Sequence, residues 1–184
     1  MSKLISREAY LDNLVARNRR NREIVDELFM PLTKEQRSWK PAPKEWSVDQ
    51  CFQHLVTTFN SFLPNISQAM ETQVPADSDG MFRPTWLVRR TWGWVYDPNV
   101  KSITLPGFKP PEPYYSNVLT DFRTQQDRVD ELIERSRDTD LQTRCWYFKI
   151  IPLNLGDYFL SFVAHDELHI DQARRVLEAY TNQV

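Results

Sequence analysis

Histidine is scarce in this sequence: 184 residues hold three, His54, His165 and His169. A neutral imidazole carries one ring nitrogen with a free lone pair, which makes it the commonest protein ligand for a transition metal. His165 and His169 are spaced i and i+4, so on a helix both rings leave one face a single turn apart and can reach one ion. A third ligand has to come from another helix. His54 qualifies, because it sits beside Cys51, Leu55 and Thr58 at the edge of an apolar helical face. Three neutral imidazoles leave a divalent ion's charge undiminished and at least one position open. Such an ion acidifies a bound water toward a pKa of about 7, or polarises a substrate oxygen or thiol.

Burial cost argues the same way. A buried imidazole needs a partner for each ring nitrogen. A metal meets one nitrogen of each ring, and Thr58, Ser161 and Gln172 are the helical neighbours best placed to accept from the other. The competing reading takes the histidines as core or half-exposed groups hydrogen-bonded to neighbours. The stretch His165-Asp166-Glu167-Leu168-His169 also has a surface likeness to the zinc-protease pattern H-E-x-x-H. However, Asp166 rather than glutamate follows the first histidine, and no further ligand comes soon after.

Other reactive groups have plainer roles open to them. Cys51, one turn before His54, could approach the ion or act as a nucleophile, and it equally suits a small core position. Asp166 and Glu167 could act as general bases, or be surface groups flanking the histidine stripe. Arg17, Arg19, Arg20 and Arg22 suggest either phosphate binding or a solvated helix face.

Four helices must position these groups. The first runs from about Arg7 to Phe29, with Leu11, Leu14, Val15, Ile24, Val25 and Leu28 at helical spacing. A short turn of helix follows at Thr33 to Trp39. Pro41 and Pro43 then hold a connector extended up to Ser47, which caps the second helix while Gln50 reaches back. Pro64 predicts a kink or an early end there. The third helix spans roughly Tyr115 to Arg137. The apolar stretch Cys145 to Pro152 reads as extended, and Asn154 caps the fourth helix, with Asp157 in its first turn. In that helix Tyr158, Phe162, His165, His169, Gln172, Val176 and Ala179 step by four and three, the spacing of a buried bundle seam. Between the second and third helices, about residues 74–113, lies a long crossover rich in proline and tryptophan. Its segment Thr85 to Tyr96 is expected to form a short helix or an aromatic flap. So long a connection lets the two flanking helices run parallel.

Composition fits one soluble domain over 1–184. Hydrophobic residues make up 41% and charged residues 26%, and the formal net charge is -2, so nothing marks a nucleic-acid or membrane binder. No apolar run approaches the roughly 18 residues of a membrane span. The first residues do not read as a signal peptide. Two distant cysteines make no disulfide framework, and a cytoplasmic location is expected.

Two motifs resemble those of the DinB-like superfamily of metalloenzymes. The stretch Trp46-Ser47-Val48-Asp49-Gln50-Cys51-Phe52-Gln53-His54-Leu55 looks like the family's W-S helix start followed by H-L. The stretch Leu153-Asn154-Leu155-Gly156-Asp157-Tyr158-Phe159, leading to His165-Asp166-Glu167-Leu168-His169-Ile170-Asp171-Gln172, looks like its last helix. The resemblance implies an all-α four-helix bundle, up-down-down-up, with the crossover between helices two and three. It implies a nickel or zinc site on His54, His165 and His169, and a homodimer. Relatives include metal-dependent hydrolases and transferases that use low-molecular-weight thiols. The expected activity is therefore activation of a water or such a thiol toward a small electrophilic substrate. The aromatic crossover would wall the pocket; Arg89 and Arg90 are candidates to hold an anionic thiol at its mouth, or else are solvated side chains. The alternative is a non-catalytic helical module that binds a small ligand or protein and uses its histidines structurally.

Overall fold

Ser6, Ser47 and Asn154 open three long helices by the same chemistry, a side-chain oxygen meeting an amide that the helix itself leaves without a partner. Ser6 accepts from the Ala9 amide at 3.3 Å and starts α1, Arg7–Leu28. Thr33 and Gln36 form a reciprocal box ahead of the short α2, Lys34–Ser38. At Ser47 the expected box is present: its hydroxyl accepts from the Gln50 amide at 3.2 Å, and the Gln50 side chain accepts from the Ser47 amide at 3.1 Å. It starts α3, Val48–Glu71. Next come α4, Val118–Arg135, and α5, Leu155–Thr181, the latter capped by an Asn154–Asp157 box. The computed structural model describes residues 4–71, 80–86, 88, 104, 106–110, 117–147 and 151–183.

Two short antiparallel pairs complete the described structure. Ile5–Ser6 (β1) pairs with Met81–Phe82 (β2), and Arg144–Tyr147 (β3) pairs with Ile151–Asn154 (β4), the stretch read as extended. Pro64 does not end its helix. Phe62, Ile66 and Ala69 are buried on either side of it, so core packing carries α3 past the missing amide to Glu71. Most of the expected Thr85 to Tyr96 element, including Arg89 and Arg90, lies outside the described residues.

Side-chain pairs fix the helix directions. Asp12 with Arg137, Arg22 with Asp127 and Asp26 with Arg123 set α1 antiparallel to α4. The Tyr10 hydroxyl donates to the Gly156 carbonyl, and Arg17 pairs with Glu167, so α1 and α5 run together. Phe59 on Phe162 and Phe62 on Tyr158 set α3 against α5. Both α3 and α4 therefore oppose α1, and they lie side by side in parallel, Phe52 against Phe122. That is the up-down-down-up bundle, and the parallel pair is why a long crossover is required.

The apolar interior falls into two halves. One gathers Leu11, Leu14, Phe59, Phe62, Leu132, Tyr158 and Phe159; the other gathers Val25, Phe29, Phe52, Leu55, Phe122 and Ile170. Between them, along the order of α1, α4 and α5, lies a buried polar layer: Asn18 and Asn21 from α1, Gln126 from α4, and Asp166 with His169 from α5; His54 joins it from α3, flanked there by Cys51, Phe52, Leu55 and Val56 of the second half.

Candidate metal centre

His54 reaches this layer from α3, and His165 and His169 reach it from consecutive turns of α5. Their ring centroids lie 5.0 Å apart for His54 and His165, 4.6 Å for His54 and His169, and 4.7 Å for His165 and His169. One nitrogen from each ring lies within 4.8 Å of the other two. The Nε2 atoms of His54 and His165 are 3.1 Å apart. Two ligands at about 2.0–2.1 Å from one zinc-like ion can stand up to roughly 4 Å apart, so this pair fits a shared cation.

The outer nitrogens decide the tautomers. His54 Nδ1 lies 2.7 Å from the Phe108 carbonyl, in the 3₁₀ turn Pro106–Phe108 of the crossover. A carbonyl only accepts, so in the neutral ring Nδ1 carries the proton and Nε2 keeps its lone pair for the site. His169 Nδ1 lies 2.8 Å from the Gln172 side-chain oxygen and is fixed in the same way. Gln172 therefore has the role expected of it. Thr58 does not: among the described residues its hydroxyl has no hydrogen-bond partner, and a crossover carbonyl takes its place. Helical periodicity shows which residues share α3 with His54, but not which loop folds back over it. Ser161, the remaining expected acceptor, stands partly buried one turn before His165.

Burial keeps the rings neutral. It depresses the pKa of His54, only partly opposed by the Phe108 carbonyl. Burial and then the two neighbouring rings hold His165 well below its ordinary value. Burial first, with His54 next, brings His169 down to about 3. Three neutral imidazoles need shed no proton before they ligate, so they are ready ligands at neutral pH. The Trp46 ring roofs two of them, with centroids 5.1 Å from His54 and 5.7 Å from His169, the latter nearly parallel at 25°.

The neighbouring groups sort out clearly. Cys51 is wholly buried in the apolar half of the core, and burial pushes its thiol pKa far up, which suits a packing role. Asp166 departs from the surface position expected for it. It is 1% exposed, accepts from the Gln126 amide at 2.8 Å, and burial raises its carboxyl to about 8. Glu167 is half-buried in a two-pronged pair with Arg17, both contacts at 2.7 Å. Arg22 likewise binds Asp127 and Asp130. The basic stretch of α1 is thus partly a set of clamps to α4 and α5, while Arg19 and Arg20 face solvent.

Comparison with known proteins agrees with this architecture. The model of the DinB superfamily matches residues 17–173. Among solved structures the chain is similar to YfiT from Bacillus subtilis, described as a probable metal-dependent hydrolase with an unusual four-helix bundle topology. The TM-score is 0.53 at 17% identity, over 92% of this chain and 85% of that one. No curated protein matches.

Proposed function

The chain belongs to the DinB superfamily, and from that premise we propose that it is a metal-dependent enzyme whose His54, His165 and His169 hold one divalent cation, nickel or zinc. The observation that carries this reading is the 3.1 Å approach of two Nε2 atoms, one of them stripped of its proton by the carbonyl behind its ring. The His54 Nε2 lone pair facing His165 is met either by an N–H of His165 or, with His165 in its other tautomer, by a cation that both rings ligate. When bound, the ion supplies a Lewis acid that lowers the pKa of a water or a small thiol at its open position.

The chain's own residues supply the rest. Phe108 and Gln172 hold two imidazoles in the ligating tautomer. Trp46 closes one side with an apolar ring, which raises the worth of charge interactions beneath it. The substrate class is a small electrophile, attacked by water in a hydrolase or by a low-molecular-weight thiol in an S-transferase. The likeness to a probable metal-dependent hydrolase supports the first. The working unit is a homodimer in the cytoplasm, in keeping with two buried, unpaired cysteines. Light scattering of the purified protein checks the assembly.

The deciding experiment is metal analysis of protein purified without a histidine tag. One ion per chain is expected, lost in His54→Ala, His165→Ala and His169→Ala. Substoichiometric metal untouched by these changes would leave a non-catalytic binding module instead. Incubating the loaded protein with an electrophilic probe, alone and with bacillithiol, mycothiol or glutathione, separates the two chemistries. Product that needs one thiol ends the hydrolase reading.

A further inference from the structure

Thr58 follows His54 by one turn on α3, and among the described residues its hydroxyl is left unmet in the interior. Threonine and serine on a helix commonly hydrogen-bond the carbonyl four residues back. Ser61 does so to Thr57 at 2.8 Å, Thr124 to Thr120 at 3.1 Å and Thr181 to Leu177 at 3.0 Å, all three on exposed helix faces. For Thr58 that carbonyl would be His54's, yet its Oγ1 is closed off from solvent and no described group meets it. Proteins seldom leave a buried hydroxyl in that state without a function for it.

Helix geometry says where this hydroxyl lies. Side chains at i and i+4 share a face, and each leans toward the helix N-terminus, so Thr58 leans back over the turn that carries His54. The His54 ring leaves it nothing to bond: Nδ1 is taken by the Phe108 carbonyl and Nε2 is turned to His165. No acceptor among the described residues meets the hydroxyl, and a guest held by the three imidazoles would lie on the same face of α3.

We propose that Thr58 is a binding residue for that guest, donating its hydroxyl hydrogen to an anionic ligand atom on the ion. The inference rests on the metal reading above. It adds that the site selects a guest that accepts a hydrogen bond while it ligates. A threonine serving only as packing would be replaced by valine, its near-isostere, without consequence.

The test uses the full chain loaded with cobalt(II), whose visible spectrum reports the inner ligands. Azide and 2-mercaptoethanol are titrated separately into wild type, Thr58→Val, Thr58→Ala and Thr58→Ser. Thr58→Val and Thr58→Ala should keep full cobalt occupancy and bind the probes about tenfold more weakly, in line with the loss of one hydrogen bond to a charged group. Thr58→Ser should stay within about twofold of wild type. Weakening confined to one probe also supports the proposal and identifies the guest's ligand atom. Unchanged binding of both probes overturns it. So does loss of cobalt or of the fold in both Thr58→Val and Thr58→Ala, since the hydroxyl would then serve the protein rather than the guest. Wild type that takes up no cobalt sinks the metal reading itself, a separate result.

Discussion

His165 and Asp166 are neighbours on α5 that serve opposite sides of it: the imidazole meets His54 of α3, while the carboxyl meets Gln126 of α4. Successive residues on a helix are turned by about 100°, so one turn of α5 can feed both the histidine cluster and a polar tie to the far helix. The tie holds the histidine-bearing turn in register without touching the three histidines. Gln126→Leu should therefore lower stability by about 1–3 kcal/mol, the cost of a buried polar group left unmet. It should leave metal stoichiometry at the wild-type value. Denaturant unfolding and metal analysis of the same preparation check both halves, and loss of metal would show that the tie shapes the site directly.

Metal binding to the native state alone must raise stability by mass action. At a free ion concentration about a hundredfold above the dissociation constant the gain is about 2.7 kcal/mol. Thermal unfolding with added nickel or zinc should show it in wild type and not in His54→Ala, His165→Ala or His169→Ala. A rise that survives these replacements would place the ion elsewhere.

Trp46 should report occupancy. Its ring lies over His54 and His169 at 5.1 and 5.7 Å. Cobalt or nickel bound by those imidazoles would quench its emission strongly. Trp46→Phe should reduce the metal-dependent fluorescence change and leave the stoichiometry intact. An unchanged quench in that variant would count against the site.

These predictions draw on parts of the molecule that the sequence reveals unequally. Caps and periodicity are local, so the Ser47 and Asn154 boxes, the seam of α5 and the helices that carry the three histidines could be read from residue types alone. Gln172 as an acceptor is local too, three residues from His169. What could not be read depends on partners distant in sequence. The Phe108 carbonyl comes from a crossover with no period to phase it. Asp166 resembles a surface group until Gln126 of another helix is brought against it. Asn18 and Asn21 interrupt the apolar stripe of α1, and that break was the available sign of a polar layer. Pro64 does not end α3 because its local penalty is outweighed by core contacts on both sides.

Gly156 is required by a close approach. A methyl group on its α-carbon would stand under about 3 Å from three ring carbons of Phe82, which packs over the first turn of α5. Tyr10 fixes the same turn by donating to the Gly156 carbonyl at 2.8 Å, with its own ring 4.7 Å from Phe82. Gly156→Ala should cost about 1–3 kcal/mol by overpacking, measured by chemical denaturation. Phe82→Ala opens the space, so the double variant should be more stable than the sum of the two single losses predicts. Simple additivity would mean that the ring moves aside freely.

Arg37 and Asp49 give a pH-dependent case. Asp49 is buried in the first turn of α3, with a side chain 3% exposed and its Oδ1 3.2 Å from Arg37 Nε. The two atoms lie within ion-pair distance but do not meet in hydrogen-bond geometry, so the contact is one of charge. Burial raises the Asp49 carboxyl above its ordinary range, with the Arg37 charge opposing that rise. A carboxyl raised in the folded state binds its proton more tightly there than in the unfolded chain. Stability is then highest below the ordinary carboxyl value, near pH 4, and falls as pH climbs through the raised folded value. Arg37→Ala removes the opposing charge, moves the folded value higher still and deepens the fall. The variant should lose about 2–4 kcal/mol at pH 8, where the carboxylate is left buried without its partner. Near pH 4 the loss should be much smaller, because a protonated carboxyl needs no cation. Thermal unfolding of both proteins at the two pH values measures the difference, and an equal loss at each would mean that Arg37 contributes packing rather than charge.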